Sequence, residues 1–249
     1  MNILITICGR AGSKGVKNKN MRIFLGKPLI NYSIASAYLF KEKNREYNVD
    51  ICVNSNSDLM LNTVQQYDLT CIKRPEMLAQ DESPKVPAIR YSLEYMEEKL
   101  SKQYDYIIDL DITSPLRKVA DIENALYKMI ENIDADAAFS VVPARRNPYF
   151  NMVESINGKI KKIIDGGFTA RQQAPAVYDM NASIYCYRRN SLLNKLNESP
   201  LDGVFDIFLM RDTAILDIDS EDDFELMEVL ARYFFNGEFK ELCNYTSTM

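Results

Sequence analysis

The most informative feature of the sequence is a residue type that it does not contain. Among its 249 residues there is no histidine. This absence excludes serine–histidine and cysteine–histidine catalysis, a histidine general base and a histidine metal site. Any metal must therefore be bound by carboxylate oxygens, which favours Mg²⁺ or Mn²⁺ over zinc.

Cysteine pairs, long apolar stretches and an excess of basic residues are also absent. The five cysteines show no C-x-x-C spacing, which is typical of reduced thiols in a cytoplasmic protein. No apolar stretch approaches the roughly 20 residues of a membrane span, and the first residues lack a signal-peptide pattern. The net charge is −5, whereas nucleic-acid-binding proteins usually carry a basic excess. We therefore expect a cytoplasmic protein that binds neither membranes nor nucleic acid.

Short apolar runs alternate with helical patterns along most of the chain. The first run, 2–8, is typical of a buried strand. The alternation that follows predicts an α/β fold with a Rossmann-like, mostly parallel sheet and helices on both faces. A last strand is predicted over 214–218, before a helix capped by Ser220. We expect one domain over 1–249.

Residues 144–178 interrupt this alternation. The pattern around Asn157 and Gly158 predicts an inserted hairpin, because this pair favours a tight turn between strands. The segment is also rich in arginine and aromatic residues, which are enriched at subunit interfaces. We therefore predict that 144–178 is a hairpin subdomain used for dimerisation.

A basic loop, 9–20, follows the first strand. It lies where open α/β sheets bind their ligands, and its glycines allow the backbone N–H groups to approach an anion. Four cations occur within ten residues: Arg10, Lys14, Lys17 and Lys19. These features predict a triphosphate site, although a solvated basic loop remains the alternative. The spacing matches neither the P-loop nor the G-x-G-x-x-G pattern.

Two carboxylates, Asp217 and Asp219, end the last predicted strand. In a strand, residues two apart face the same way, so these carboxylates would repel each other unless a cation joins them. Mg²⁺ is the natural partner beside a triphosphate. The alternative is that Asp219 only caps the following helix.

Further candidates follow two other predicted strands. Asp111 lies nearer the strand end than Asp109, so it is the better candidate for a metal or nucleotide contact, with a turn aspartate as the alternative. Arg74 could bind a phosphate or a base carbonyl, or form an ion pair with Glu76.

Arginine and amide side chains are frequent at 145–151 and 171–175 of the interruption and again at 178–183, where the chain returns to the α/β core. Arginine binds carboxylates in bidentate fashion, and amides suit sugar hydroxyls and N-acyl groups. This composition predicts a site for an acidic sugar. The residues concerned are Arg171, Gln172, Gln173, Tyr178 and Asn181.

Several motifs, in this order along the chain, resemble the acylneuraminate cytidylyltransferase family, the CMP-sialic acid synthetases. The resemblance covers nearly the whole chain. The matching motifs are Arg10, Ser13-Lys14-Gly15, Lys19-Asn20, Arg74-Pro75, Leu78-Ala79-Gln80-Asp81, Thr113-Ser114-Pro115-Leu116-Arg117, Arg171-Gln172-Gln173-Ala174-Pro175 and Asp217-Ile218-Asp219. The amino-acid sequences of 144–151 and 178–183 are most similar to those of the family branch that activates legionaminic acid. This sugar is a bacterial nine-carbon relative of sialic acid.

The resemblance implies a nucleotide-diphospho-sugar transferase type of fold and a role for each group of candidates. It assigns nucleotide binding to Arg10, Gly12, Ser13, Lys14, Lys19, Asn20, Arg74 and Asp111. It assigns catalysis to Arg10, Lys19, Asp217 and Asp219. It assigns Mg²⁺ or Mn²⁺ binding to Asp217, Asp219 and Asp111. It assigns sugar binding to Arg171, Gln172, Gln173, Tyr178 and Asn181.

The activity that the resemblance implies is transfer of CMP from CTP to the anomeric hydroxyl of a nonulosonic acid, with release of pyrophosphate. It also implies a homodimer in which 145–150 and 171–173 reach the partner's site. The sialic-acid enzymes typically carry glutamine where this chain has Asp111. Two alternatives remain: a nucleotidyltransferase for another nucleotide or a sugar 1-phosphate, and an inactive nucleotide-binding subunit.

Overall fold

A seven-stranded mixed sheet forms the centre of the protein in a computed structural model, which describes residues 1–12 and 15–249. Two small two-stranded sheets accompany it. The strands are β1 Asn2–Cys8, β2 Ile23–Phe24, β3 Lys27–Pro28, β4 Asn48–Ser55, β5 Thr70–Lys73, β6 Tyr106–Leu110, β7 Ala137–Pro143, β8 Val153–Ile156, β9 Lys159–Lys162, β10 Tyr178–Arg188 and β11 Phe205–Leu209.

Helices connect most of these strands. The α-helices are α1 Ile30–Lys43, α2 Asp58–Val64, α3 Lys85–Leu100, α4 Val119–Glu131, α5 Arg189–Asn194, α6 Glu221–Phe234 and α7 Lys240–Thr248. Short 3-10 helices occupy Lys19–Met21, Glu76–Leu78, Arg171–Gln173, Pro200–Asp202 and Asp212–Ile215. In the described part of the chain, none of the helices is long and apolar enough to cross a membrane.

The strand order of the large sheet is β11-β7-β10-β6-β1-β4-β5. Strand β10 runs antiparallel to β6 and β7, and the other neighbouring pairs are parallel. The prediction of a mostly parallel sheet is therefore confirmed. Because β1, β4, β5 and β6 are parallel, their carboxyl ends meet at one edge, where open α/β sheets hold ligands.

Helices cover both faces of this sheet, as predicted. Ile3, Ile5 and Ile7 of β1 pack into the core cluster that includes residues of α1, α4 and α6. Leu4 and Cys8 face the other way, into the cluster formed with α3 and α5. Alternate residues of one strand thus fill two separate layers, which explains why β1 is apolar on both of its faces, with Thr6 as the buried polar exception.

The predicted strand over 214–218 is wrong. These residues form the end of the 3-10 helix Asp212–Ile215 and an irregular segment, in which the Ile218 amide donates to the Thr113 carbonyl at 3.0 Å. The edge strand is instead β11, which pairs with β7. Ile218 is fully buried, so the apolar pattern predicted burial correctly but strand pairing wrongly.

The hairpin predicted within 144–178 is confirmed. Strands β8 and β9 pair only with each other, and the turn between them holds Asn157 and Gly158 at φ 52° and 76°. Positive φ at both positions is typical of the tight turn that suits twisted strands. The hairpin carries exposed apolar side chains, including Val153 and Ile160 at 64% and 68% exposure.

Candidate active site

A cleft of about 430 Å³ opens at the carboxyl edge of the large sheet. Its walls come from five places: the loop after β1, Arg74 after β5, the amino end of α3, the turn after β6, and Asp219. The side chains predicted to bind nucleotide or metal that line it are Arg10, Lys19, Asn20, Arg74, Asp111 and Asp219. The structure therefore brings together candidates that are more than 200 residues apart.

Glycine is needed in the loop because other chain segments approach it closely. A Cβ on Gly15 would lie 1.8 Å from the carbonyl oxygen of Asp219, and a Cβ on Gly9 would lie 2.7 Å from Ile112. Gly12 has a φ of +81°, which disfavours side chains for a different reason. Ser13 and Lys14, also predicted to bind nucleotide, lie outside the described residues.

The cations of this loop are held by acceptors of the protein itself. The Lys19 ammonium donates to the Ile218 carbonyl and lies 3.0 Å from the Asp219 carboxylate. Arg10 forms an ion pair with Asp81 at 3.2 Å and donates to the Gln80 carbonyl. Both cations line the cleft, so an entering triphosphate would compete with these acceptors.

Arg74 and Asn20 are fixed more firmly than the loop cations. Arg74 is buried, and its guanidinium donates to the side-chain oxygen of Asn54 at 2.7 Å and to the Asn54 carbonyl at 3.1 Å. Asn20 is also buried and donates to the Arg10 carbonyl at 3.2 Å. The Glu76 carboxylate, the alternative partner of Arg74, accepts from Asn56 at 3.4 Å.

Asp219 lines the cleft beside the loop, whereas Asp217 is not among the residues that line it, and neither lies in a strand. The side chain of Asp219 is 74% exposed, while Asp217 is half-buried. Burial raises the pKa of Asp217 above its ordinary value, and the carboxylates of Asp219 and Asp111 raise it further. The cap of α6 is the Ser220 hydroxyl, which accepts from the Asp223 amide at 3.2 Å.

Both oxygens of the Asp111 carboxylate have partners within the protein. One oxygen lies 2.7 Å from the Lys85 ammonium, and the other accepts from the Thr113 amide and hydroxyl, both at 3.0 Å. Burial acts to raise the pKa of Asp111, but Lys85 and Thr113 lower it to about 2. Across the described residues, no cluster of three or more carboxylates or thiols is arranged to hold a metal. Both carboxylate oxygens of Asp111 therefore have partners within the protein, and metal binding by Asp111 stays a prediction.

Lys85 is a residue of the cleft that the sequence did not identify. Its ammonium lies between Asp109 at 2.6 Å and Asp111 at 2.7 Å. Burial acts to lower the pKa of Lys85, but the two carboxylates outweigh it and hold this pKa well above its ordinary value. The one available signal was the helix start at Ser83 and Pro84, which places Lys85 at the amino end of α3 beside the sheet edge.

The candidate sugar residues lie apart from the cleft within one chain. Arg171, Gln172 and Tyr178 line a second cleft of about 340 Å³, and Arg171 donates to the Ala144 carbonyl at 2.6 Å. The side-chain oxygen of Gln173 accepts from the Thr169 hydroxyl at 3.1 Å. The amide of Asn181 is buried, accepts from Ser140 at 2.6 Å and contacts Met210. Sugar binding by these residues stays a prediction.

Solved structures share this fold. A CMP:2-keto-3-deoxy-manno-octonic acid synthetase complexed with CTP superposes with a TM-score of 0.69 at 16% identity, covering 94% of this chain and 99% of that one. A 4-diphosphocytidyl-2C-methyl-D-erythritol synthase from Anaerococcus prevotii gives a TM-score of 0.60 at 10% identity, covering 92% and 96%. The likeness to these two structures shows the fold of this chain.

The sequence identifies the family to which the chain belongs. A cytidylyltransferase family model matches residues 4–242, and the chain belongs to that family. Post-translational flagellin modification protein B of Campylobacter coli is 41% identical, covering 92% of this chain and 95% of its own length. CMP-N,N'-diacetyllegionaminic acid synthase of Campylobacter jejuni is 42% identical, covering 92% and 94%. An N-acylneuraminate cytidylyltransferase of Streptococcus agalactiae is 26% identical, covering 97% of this chain and 55% of its own length.

Proposed function

We propose that this protein transfers CMP from CTP to the anomeric hydroxyl of a legionaminic-type nonulosonic acid and releases pyrophosphate. The observation that carries the proposal is the 42% identity to a CMP-N,N'-diacetyllegionaminic acid synthase over nearly the full length of both chains. Identity to the sialic-acid relative is only 26%. The cleft supports the same reaction, since its basic loop suits a triphosphate.

In this reaction the hydroxyl oxygen of the sugar bonds to the α-phosphorus, and the bond to the bridging oxygen of pyrophosphate breaks. The hydroxyl proton passes to a carboxylate or to water, since the chain has no histidine. The protein's contribution is to position the groups and to stabilise charge. Lys19 and Arg10 would leave their present carbonyl and carboxylate acceptors for phosphate oxygens. Arg74 and Asn20, which are buried and already hydrogen-bonded, would form a rigid wall that orients the nucleotide.

We also propose Mg²⁺, or Mn²⁺, as the cofactor, held by Asp217 and Asp219. The residues fit such an ion because they offer hard carboxylate oxygens. Burial, and then the charges of Asp219 and Asp111, raise the pKa of Asp217, and a bound cation would favour its charged form. Mg²⁺ is commonly bound by one or two carboxylates together with substrate phosphates, so a third protein ligand is not needed. When bound, the ion would neutralise charge on the phosphates.

The sugar pocket is proposed to form between two chains. Arg171 and Gln172 are exposed and line a cleft separate from the triphosphate cleft of their own chain. The nearby hairpin of β8 and β9 exposes apolar side chains that a second copy would cover. A homodimer through 144–178 would bring Arg171 and Gln172 close to the partner's nucleotide.

A pyrophosphate-release assay tests the substrates. CTP, GTP and UTP are each combined with legionaminic, sialic and pseudaminic acids, and a sugar 1-phosphate serves as the control acceptor. We expect release mainly from CTP with legionaminic acid. Preferred turnover of the sugar 1-phosphate would contradict the proposal that the acceptor is a nonulosonic acid. CTP binding without turnover of any acceptor would indicate an inactive nucleotide-binding subunit instead.

A further inference from the structure

A compact charge cluster lies at the floor of the triphosphate cleft, where β6 ends. Lys85 at the amino end of α3 joins Asp109 and Asp111, and its ammonium lies 2.6 and 2.7 Å from their carboxylates. Its side chain is 32% exposed and lines the cleft. Lys85 is therefore part of the wall that faces the nucleotide and also the counter-ion of two buried or nearly buried carboxylates.

No other cation of the described chain contacts these carboxylates within ion-pair distance. Arg117 is close by and fully buried, but it donates to the carbonyls of Asp111, Ser114 and Ser183. Thr6 donates a neutral hydrogen bond to Asp109 at 2.7 Å. The carboxylates of Asp109 and Asp111 together with the Lys85 ammonium therefore carry a net charge of −1, and they would carry −2 without Lys85.

A triphosphate bound in the cleft would lie close to the carboxylates of Asp109 and Asp111. These would repel it more strongly than carboxylates in water, because the surrounding protein has a low dielectric constant. The loop cations on the opposite wall attract the triphosphate, but Lys19 and Arg10 are already paired with carboxylates. The affinity of the cleft for a triphosphate therefore depends on two things. The negative charge at the end of β6 must be neutralised, and the loop must supply positive charge.

We propose that Lys85 is an electrostatic positioning residue, which lets the cleft accept a triphosphate by neutralising the carboxylates at the end of β6. This inference rests on the proposed function, since it takes CTP as the nucleotide. The effect acts through charge, so it grows with the charge of the ligand. It also keeps Asp111 in place for the cleft, since Lys85 and Thr113 each hold one of its carboxylate oxygens.

The test measures binding of CTP and CMP by calorimetry, without any sugar, to the full-length wild type and three variants. Lys85→Met brings the cluster to −2, Asp109→Asn brings it to 0, and the double variant K85M/D109N restores −1 without the lysine. The control is Lys102→Met, which removes a similarly half-buried lysine from its ion pair with Asp50 near the opposite edge of the sheet.

Lys85→Met should weaken CTP binding by about ten- to a hundredfold and CMP binding by much less, because the lost interaction scales with ligand charge. K85M/D109N should return to within about threefold of wild type, and Asp109→Asn should bind CTP more tightly than wild type. Lys102→Met should bind both nucleotides as wild type does.

Wild-type CTP affinity in Lys85→Met would overturn the inference. A double variant as weak as Lys85→Met would overturn it too, because Lys85 would then act by direct contact with phosphate. If Lys85→Met does not fold, Asp109→Asn decides alone, and unchanged or weaker CTP binding contradicts the inference. A wild type that binds no CTP refutes the proposed function instead, so the two failures are distinguishable.

Discussion

At the scale of single residues, we expect that the carboxylates proposed to bind Mg²⁺ can be replaced without disturbing the fold. Asp219 is 74% exposed on its side chain, and Asp217 is half-buried with a raised pKa. Asp217→Asn and Asp219→Asn should each lower kcat by at least about a hundredfold, because charge on the phosphates would lose its compensation. Steady-state kinetics over a Mg²⁺ titration and thermal unfolding check this.

The matched control is Asp222→Asn, which removes an exposed carboxylate from the first turn of α6. It should leave both kcat and the melting temperature as in the wild type. Near-normal turnover in the Asp217 and Asp219 variants, with the control equally active, would exclude these carboxylates as the metal site.

Which residues form the cleft could be predicted only where a motif or a strand end marked them. The basic loop, Arg74 and Asp219 were found from local composition and position. Lys85 was missed because a lysine in the first turn of a helix has no local signature, and its two partners lie 24 and 26 positions away. The amide of Asn181, which we predicted to bind sugar, is buried against Ser140, and its role stays a prediction.

At the scale of elements, the loop after β1 depends on a backbone contact with the segment before α6. A Cβ on Gly15 would lie 1.8 Å from the Asp219 carbonyl oxygen, which is part of the backbone and cannot rotate away. Gly15→Ala should therefore destabilise the observed packing of the loop against Asp219 by a free energy of about 1–3 kcal/mol. We expect CTP affinity to fall by about ten- to a hundredfold, measured by calorimetry.

Gly237→Ala is the control for this substitution. Its Cβ would meet only the Phe234 carbonyl at 3.8 Å, an ordinary contact, so it should bind CTP as the wild type does. Unchanged CTP affinity in Gly15→Ala would mean that the loop can bind the triphosphate without its contact to Asp219.

Elements with a strong periodicity were predictable, and the exceptions have one cause. The helix α6 and the hairpin of β8 and β9 follow local signals, which are the Ser220 cap and the turn pair Asn157 and Gly158. The strand expected over 214–218 is wrong because an apolar run indicates burial, not pairing. Ile218 is buried in the core cluster, and its amide donates to the Thr113 carbonyl rather than to a strand of the sheet. Sheet pairing is a property of distant segments, and β11 was missed for the same reason.

At the scale of the whole molecule, the separation of the two clefts argues for a second chain. The cleft beside the basic loop and the cleft lined by Arg171 and Tyr178 share no lining residue. A transfer reaction needs the attacking oxygen and the α-phosphorus in contact. Under the proposed function, a partner copy would bring its candidate sugar residues to the nucleotide cleft of the first chain.

The hairpin offers a direct test of this arrangement. Ile156 and Ile160 are 46% and 68% exposed in one chain, so replacing both with lysine should not disturb the fold but should disrupt an apolar interface. We expect light scattering to report twice the 28.6 kDa chain mass for the wild type and the single-chain mass for the variant. Because the triphosphate cleft lies within one chain, CTP affinity should persist in the variant while sugar-dependent turnover is lost. Ile133→Lys, at a site 78% exposed just before β7, should stay dimeric and active. A monomeric wild type with full turnover would show that a single chain completes its own sugar site.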